Sequence, residues 1–384
     1  MIRRQAEEKV KNLARQFKAV AVMGPRQSGK TTLARRCFPE KAYVSLENPS
    51  TRSFALEDPQ GFLNQYEGGA ILDEIQRAPD LLSYLQQRLD ESEERGKFIL
   101  TGSNNLLFLE KITQTLAGRV AYLELLPLSI TELQKVDGAL SSLNTLLLKG
   151  AYPAIQAQDI DPQDWFAAYV RTYVERDVRQ IKNIENLLQF ERLLALCAGR
   201  VGQQLNYSNL AVETGMDVKT VQAWLGVLQT SYIVFLLPPF YKNFNKRIVK
   251  SPKLYFYDTG LASYLLRIED AGALFQHPYR GALFENLVVS ELLKNRFNQG
   301  RRSNLYYWRD NVGHEIDVVI DNGIEIIPVE AKSGSTITGD FFKGLAYWAE
   351  LANTPKGLVF YGGDESQERS TGFKVEPWRK LGAY

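Results

Sequence analysis

The sequence has little sulfur and almost no histidine. Cys37 and Cys197 are its only cysteines, far apart and in no C-x-x-C pattern, which argues against a disulfide framework or a zinc site. A reducing compartment fits, and the cytoplasm is the expected location. His277 and His314 are the only histidines, too few for histidine-based nuclease chemistry; His314 reads as a turn residue. Net charge is only +2, so bulk charge does not coat nucleic acid, and any such binding must come from a local basic surface. No apolar run reaches membrane-spanning length, and the longest, Tyr232 to Leu237, is strand-sized. No membrane partner is expected. The first eight residues, Met1 to Glu8, are too charged for a signal peptide. Internal repeats and low-complexity segments are absent. With 384 residues, 45% hydrophobic and 23% charged, the chain has the composition of a soluble globular protein of about two to three domains.

What is present begins with Gly24-Pro25-Arg26-Gln27-Ser28-Gly29-Lys30-Thr31, followed by Thr32. It fits G-x-x-x-x-G-K-[ST], a phosphate-binding loop, between an apolar strand (18–23) and a helix. Glycines let backbone N–H groups close around phosphate oxygens, and the helix start adds partial positive charge. Lys30 can reach the β- and γ-phosphates, and Thr31 can place its hydroxyl on Mg²⁺. Residues 5–17 form an amphipathic helix ahead of this strand, and 41–46 a second strand. The run 69–74 ends in Asp73-Glu74. There Asp73 would hold Mg²⁺ and Glu74 would orient and deprotonate the attacking water. The next strand, 96–104, ends in Thr101-Gly102-Ser103-Asn104. Ser103 and Asn104 are candidate γ-phosphate sensors, or this is an ordinary turn. Arg119 opens a fifth strand, where it either stabilises transition-state charge, in cis or from a neighbouring subunit, or lies on the surface.

These motifs, with Leu72-Asp73-Glu74-Ile75-Gln76 and Phe98-Ile99-Leu100-Thr101-Gly102-Ser103, resemble a large prokaryotic family of ATP-binding proteins. In that family an AAA-type ATPase module is fused to a C-terminal domain of unknown function. The resemblance spans essentially the whole chain. It implies an α/β fold, a doubly wound parallel sheet with nucleotide at its carboxyl edge. It supplies no cellular activity.

The expected organisation is an AAA-type P-loop core over 1–127, a helical lid over 128–183, a winged helix over 184–268 and a small α/β domain over 278–384. In the lid, Pro127 to Lys149 and Trp165 to Ile181 are helical in pattern. Arg171, Arg176, Asp177 and Arg179 on the second stretch read as a solvated face, the alternative being that one of the arginines touches the γ-phosphate from the lid. The winged helix rests on a helix from Leu187 to Ala198, two short helices about Gly215, and Asp217 as an N-cap. A strand (233–237), a basic and aromatic stretch (241–253) and another strand (254–257) follow. On DNA, Lys219, Thr220 and Gln222 would face the groove, and Lys246, Arg247, Lys250 and Lys253 would meet phosphates. The same fold also serves as a protein–protein module.

In the last region a helix from Tyr279 carries Glu285, one strand carries Asp317, and the next carries Glu330-Ala331-Lys332. Residues i and i+2 of a strand share a face, so Glu330 and Lys332 lie together and Asp317 and Glu330 converge on one Mg²⁺ if their strands are neighbours. The set Glu285, Asp317, Glu330, Lys332 resembles the restriction-endonuclease-like, D…E-x-K arrangement. The competing reading is an ion-pair cluster in a partner-binding domain. A helix over 338–351 and a last strand over 357–360 complete the layer, with 362–370 as a solvated loop.

The expected function is Mg²⁺-dependent ATP binding and hydrolysis coupled to a winged-helix and nuclease-like region acting on DNA. ATP and Mg²⁺ are the cofactors, and a second Mg²⁺ or Mn²⁺ belongs to the C-terminal domain if it is a nuclease. The alternative is a nucleotide-gated switch or adaptor that binds protein partners through an inactive nuclease-like domain. A homo-oligomer is required only if Arg119 acts in trans.

Overall fold

The computed structural model describes residues 2–103, 115–158, 160–174, 186–241 and 250–384. Asn104, Arg176, Asp177, Arg179, Lys246 and Arg247 therefore lie outside the described residues. The chain divides into two compact units. The first comprises residues 1–128 with 230–232 and 296–301, and the second holds the remainder.

The first unit is built on five parallel strands: β1 (Ala19–Met23), β2 (Ala42–Ser45), β3 (Ala70–Asp73), β4 (Phe98–Gly102) and β5 (Val120–Glu124). Their order is β2-β3-β4-β1-β5. Every residue of β1 is buried, because both faces of a parallel sheet are covered. Alternation divides β1 between two cores. Ala19, Ala21 and Met23 join the cluster that includes Leu72, Leu81 and Leu85. Val20 and Val22 join the cluster of Val10, Leu13 and Leu33. The helix Glu7–Gln16, expected from its apolar spacing, supplies Val10, Leu13 and Ala14 to that second cluster. Because β4 lies between β1 and β3, the ends of three strands meet where the phosphate-binding loop leaves β1.

In the second unit the expected long helix over 127–149 is two short ones, Ile130–Leu133 and Leu143–Lys149. Ser129 and Ser142 each cap a helix start, and Gly138 at φ 73° turns the chain between them. The later helix is regular over Pro162–Tyr169 and widens to a π-turn over Val170–Val174. Helices Leu187–Ala198, Tyr207–Thr214 and Val218–Thr230 follow. Gly215 at φ 70° ends the second, and the Asp217 carboxylate accepts from the Thr220 N–H at 3.0 Å to start the third. β6 (Val234–Leu237) and β7 (Lys253–Phe256) then pair antiparallel.

The last sheet has six strands in the order β12-β13-β11-β10-β9-β8. β8 (Leu305–Arg309), β9 (Glu315–Asp321) and β10 (Ile326–Lys332) are antiparallel neighbours, whereas β11 (Gly357–Tyr361) runs parallel to β10. Two expectations fail here. The strand over 357–361 is not the last, because β13 (Phe373–Pro377) pairs parallel with it. The segment expected as a solvated loop contains β12 (Gln367–Glu368). In β13 Phe373 and Val375 point inward while Lys374 points out, an alternation too short to stand out in sequence. Helices Arg280–Asn298 and Lys343–Ala352 complete the region, and Trp308, Leu345 and Trp348 fill its core. Among the described residues no helix is long and apolar enough to cross a membrane.

Candidate functional site

The phosphate-binding loop leaves β1 at Gly24, whose φ is 152°. A Cβ there would run into the Leu125 carbonyl oxygen, so only glycine lets the loop pass. Gly29, at φ 92°, precedes the helix Lys30–Cys37 and aims its free N–H groups at the loop. Lys30 is buried and lies back over the loop, donating to the carbonyls of Gly24 at 3.1 Å and Pro25 at 2.7 Å. Arg26 pairs with Glu47 at 3.5 Å, Ser28 is buried, and Gln27 and Thr32 are exposed. From below, the buried Arg4 donates to the Ser28 carbonyl at 2.5 Å and the Leu126 carbonyl at 2.7 Å. Sequence reasoning missed Arg4, which stands far from the motif and looks like any surface base.

Asp73 closes β3 and is held by three hydroxyls. Thr31 donates to Oδ1 at 2.8 Å, Thr101 donates to the same oxygen, and Tyr43 donates to Oδ2 at 2.8 Å. Burial, then the bond to Asp73, pushes the Tyr43 phenol up to about 12, so it remains a donor. Thr31 and Asp73 are thus brought together as expected, and their hydroxyl and carboxylate oxygens are the hard donors Mg²⁺ prefers. Thr101 and Tyr43 come from the flanking strands β4 and β2, and sequence reasoning missed both as site residues. Glu74 follows in the left-handed region at φ 56°, a conformation that costs a non-glycine residue on the order of 1 kcal/mol. Its carboxylate accepts from Gln76 Nε2 and, at 3.1 Å, from Ser103 Oγ. Ser103 is therefore at the centre, beside Glu74.

Arg119 is not. It stands before β5, whose register with β1 runs from Val120 opposite Ala19 to Glu124 opposite Met23. Five strand residues, roughly 16 Å, separate it from the loop edge of the same sheet. It pairs instead with Asp90, at 2.5 Å and 2.9 Å. That hydrogen bond holds the Asp90 carboxyl below its usual range. A role in cis is excluded by this placement.

The second unit holds the other predicted cluster. Glu285, on the helix Arg280–Asn298, accepts from Lys253 Nζ at 2.8 Å and the Tyr255 hydroxyl at 2.5 Å. Lys253 also pairs with Glu315, which Arg309 contacts at 2.6 Å. Asp317 accepts from the Ala331 N–H at 2.9 Å and lies 3.6 Å from Lys332. Lys332 pairs with Glu330 on the same face of β10. Among the described residues, the carboxylates whose oxygens converge, within 4.8 Å, are Glu285, Glu315 and Asp317. Asp317 and Glu330, expected to converge on one cation, both lie against the Lys332 ammonium, while the other Glu330 oxygen, Oε1, faces Gly344, where a Cβ would strike it. The spacing Glu315-x-Asp317 on β9 was the available signal, since i and i+2 share a face.

Burial comes first among the forces on these groups. It raises Glu285, against the pull of Lys253, and with Asp317 it pushes Glu330 up to about 8. Burial acts to lower Lys253 and Lys332, but the surrounding carboxylates, with Tyr255 for Lys253, override it and raise both. Lys253 was expected to meet DNA phosphates. At 2% exposure it cannot, because Glu285 and Glu315 engage it. Of the other expected DNA contacts, Lys219, Gln222 and Lys250 are exposed, and Thr220 is used in the Asp217 cap.

Residues 16–134 match the AAA domain, 140–272 a Domain of unknown function (DUF8612) and 280–381 a Domain of unknown function (DUF4143). Over 341 residues the chain is 31% identical to the uncharacterized protein Rv2008c of Mycobacterium tuberculosis, covering 87% of this chain and 74% of the relative. The chain belongs to its family. The uncharacterized protein Mb2031c of Mycobacterium bovis is related to the same extent. In this chain an AAA-type P-loop ATPase domain is joined to a C-terminal domain. Among solved structures, the chain is similar to a Walker-type ATPase of Pyrococcus abyssi, with TM-score 0.40 and 16% identity over 69% of this chain and 95% of that one. It is also similar to a signal transduction ATPase with numerous domains and a tetratricopeptide repeat sensor from Pyrococcus horikoshii. There the TM-score is 0.27 and the identity 14%, over 76% of this chain and 47% of that one.

Proposed function

We propose that the chain hydrolyses ATP with Mg²⁺ at the loop 24–31 and passes its nucleotide state to the helix-hairpin segment and the carboxylate-bearing C-terminal domain, acting on DNA. The observation that carries the ATPase reading is the Asp73–Glu74 pair, one acid clamped by Thr31, Thr101 and Tyr43 and the other by Gln76 and Ser103. Bound ATP and Mg²⁺ would supply the scissile anhydride and the neutralising charge. Lys30 and the loop amides would hold the phosphates, and Thr31 and Asp73 the metal. Glu74 would accept the proton of the attacking water at its carboxylate, with Gln76 and Ser103 fixing its direction. Arg119, if it contributes, does so from a neighbouring copy. ATP turnover of the native chain against Lys30→Ala and Glu74→Gln tests this. Loss in both variants supports it, and equal rates in all three would end the claim.

The exposed Lys219, Gln222 and Lys250 support contact with DNA through the winged-helix segment. Binding to labelled duplex that weakens steeply with salt is the expected result. A second reading, the nucleotide-gated switch with protein partners, is favoured by one feature: Lys253 and Lys332 already engage the C-terminal acids. Cleavage of DNA with Mn²⁺ that disappears in Asp317→Ala would count against it.

A further inference from the structure

An arginine stands at the tip of the phosphate-binding loop, in a strained turn. The Ser28 N–H donates to the Pro25 carbonyl at 3.4 Å, so Arg26 and Gln27 are the central residues of that turn. Gln27 sits at φ 63°, in the left-handed region that a non-glycine residue occupies only at a cost. The turn sends the two side chains apart. Gln27 is exposed, whereas the Arg26 side chain is 11% exposed and reaches Glu47 at 3.5 Å.

Glu47 shows which side of the loop that is. Its neighbour Leu46 donates its N–H to the Asp73 carbonyl at 3.0 Å, and Ser45 stands opposite Asp73 in the register of β2 and β3. The guanidinium therefore lies on the Asp73 side of the loop. Lys30 donates to the Pro25 carbonyl, in the peptide group that leads into Arg26. Arg26 thus stands between the residues read as holding phosphates and those read as holding metal and water.

We propose that Arg26 is the arginine that serves the γ-phosphate within one chain, held by Glu47 until a triphosphate is bound. The proposal rests on the ATPase reading. In hydrolysis the water oxygen bonds to the γ-phosphorus and gives its proton to Glu74. The bond from that phosphorus to the bridging oxygen breaks, and its electron pair stays on ADP. Charge is spread over the γ-phosphoryl and bridging oxygens, and a guanidinium offers them forked N–H donors. Arg119 cannot do this in its own chain, since it lies at the far edge of the sheet. The Glu47 contact is long, and the Glu47 side chain is half open to solvent, so it is a weak hold that a phosphate group replaces. ADP lacks that group and leaves the pair in place.

The two partners of the ion pair can be removed separately, and the proposal gives them opposite outcomes. ATP turnover is measured in the full chain, and affinities for ATP and ADP by calorimetry in a Glu74→Gln background, where ATP persists. Arg26→Ala should lower kcat at least about a hundredfold and weaken ATP about tenfold, with ADP unchanged. Glu47→Gln breaks the same pair but frees the arginine. It should keep kcat at or above the native level and tighten ATP, again with ADP unchanged. Equal losses from both variants, in ATP and ADP alike, would make the pair structural and overturn the proposal. So would a folded Arg26→Ala, checked by circular dichroism, that hydrolyses ATP at the native rate. Should Arg26→Ala fail to fold, Arg26→Gln takes its place. The Glu47→Gln arm then still decides: kcat at or above the native level supports the proposal, and a loss contradicts it. A native chain whose turnover is absent, or indifferent to Lys30→Ala, overturns the ATPase reading and this proposal with it. Turnover lost in Lys30→Ala but kept in Arg26→Ala overturns the role of Arg26 alone.

Discussion

The chain carries two carboxylate centres, and they are held in opposite ways. Asp73 and Glu74 are surrounded by neutral donors: three hydroxyls on one, an amide and a hydroxyl on the other. Glu285, Glu315, Asp317 and Glu330 are matched by Lys253, Lys332 and Arg309. Hydroxyl donors orient a carboxylate without cancelling its charge, so the first centre keeps its attraction for a metal. Lysine and arginine side chains supply opposite charge as well as geometry, so most of the charge of the second is already balanced. The same residue type is thus held by neutral donors in one place and by cations in the other.

The largest expected break in this comparison is Glu74→Gln. It keeps the shape and the Gln76 and Ser103 contacts while removing the base, and should lower kcat at least about a hundredfold with ATP affinity retained. Steady-state turnover and equilibrium nucleotide binding measured together would check it. Next is Arg4→Ala, which leaves the Ser28 and Leu126 carbonyls unpaired beneath the loop. It should cost about 2–3 kcal/mol in denaturant unfolding and raise KM for ATP about tenfold. Thr101→Val is smaller. It removes one of the hydroxyls on Asp73 with little change in volume, for about 1 kcal/mol, and should raise the Mg²⁺ concentration needed for half-maximal turnover severalfold.

The smallest effect concerns pH. Glu124, at the end of β5, accepts from the Tyr232 hydroxyl at 2.9 Å, and burial raises its carboxyl above the ordinary 4.5. Above that value the folded chain holds the proton more firmly than the unfolded chain. This contribution to stability therefore falls as pH rises through the folded-state pKa. Thermal unfolding of native chain and Glu124→Gln across that range should show a decline in the native chain that the variant lacks.

The first centre was largely legible in the sequence because its parts are contiguous. A strand, a glycine loop and a helix start follow one another, and Asp73-Glu74 ends the next buried run but one. Its clamps were not legible. Thr101 and Tyr43 reach Asp73 across strands, and strand order is not written in any one segment. The second centre was half legible. Glu285, Asp317, Glu330 and Lys332 were named, but Lys253 looked like one base in a basic stretch. Lys253 and Tyr255 are i and i+2 on one strand, and that shared face was the sign that both point to one place. The sequence leaves Arg119 open between a role in cis, a role from a neighbouring subunit and a surface arginine, and the direction of the parallel sheet puts it at the edge away from the loop of its own chain.

The most direct test of the contrast is the Mn²⁺ stoichiometry of the native chain with ATP present. The account predicts one tightly bound Mn²⁺ per chain, lost in Asp73→Asn and unchanged in Asp317→Asn. Two tightly bound ions, one of them lost in Asp317→Asn, would contradict it.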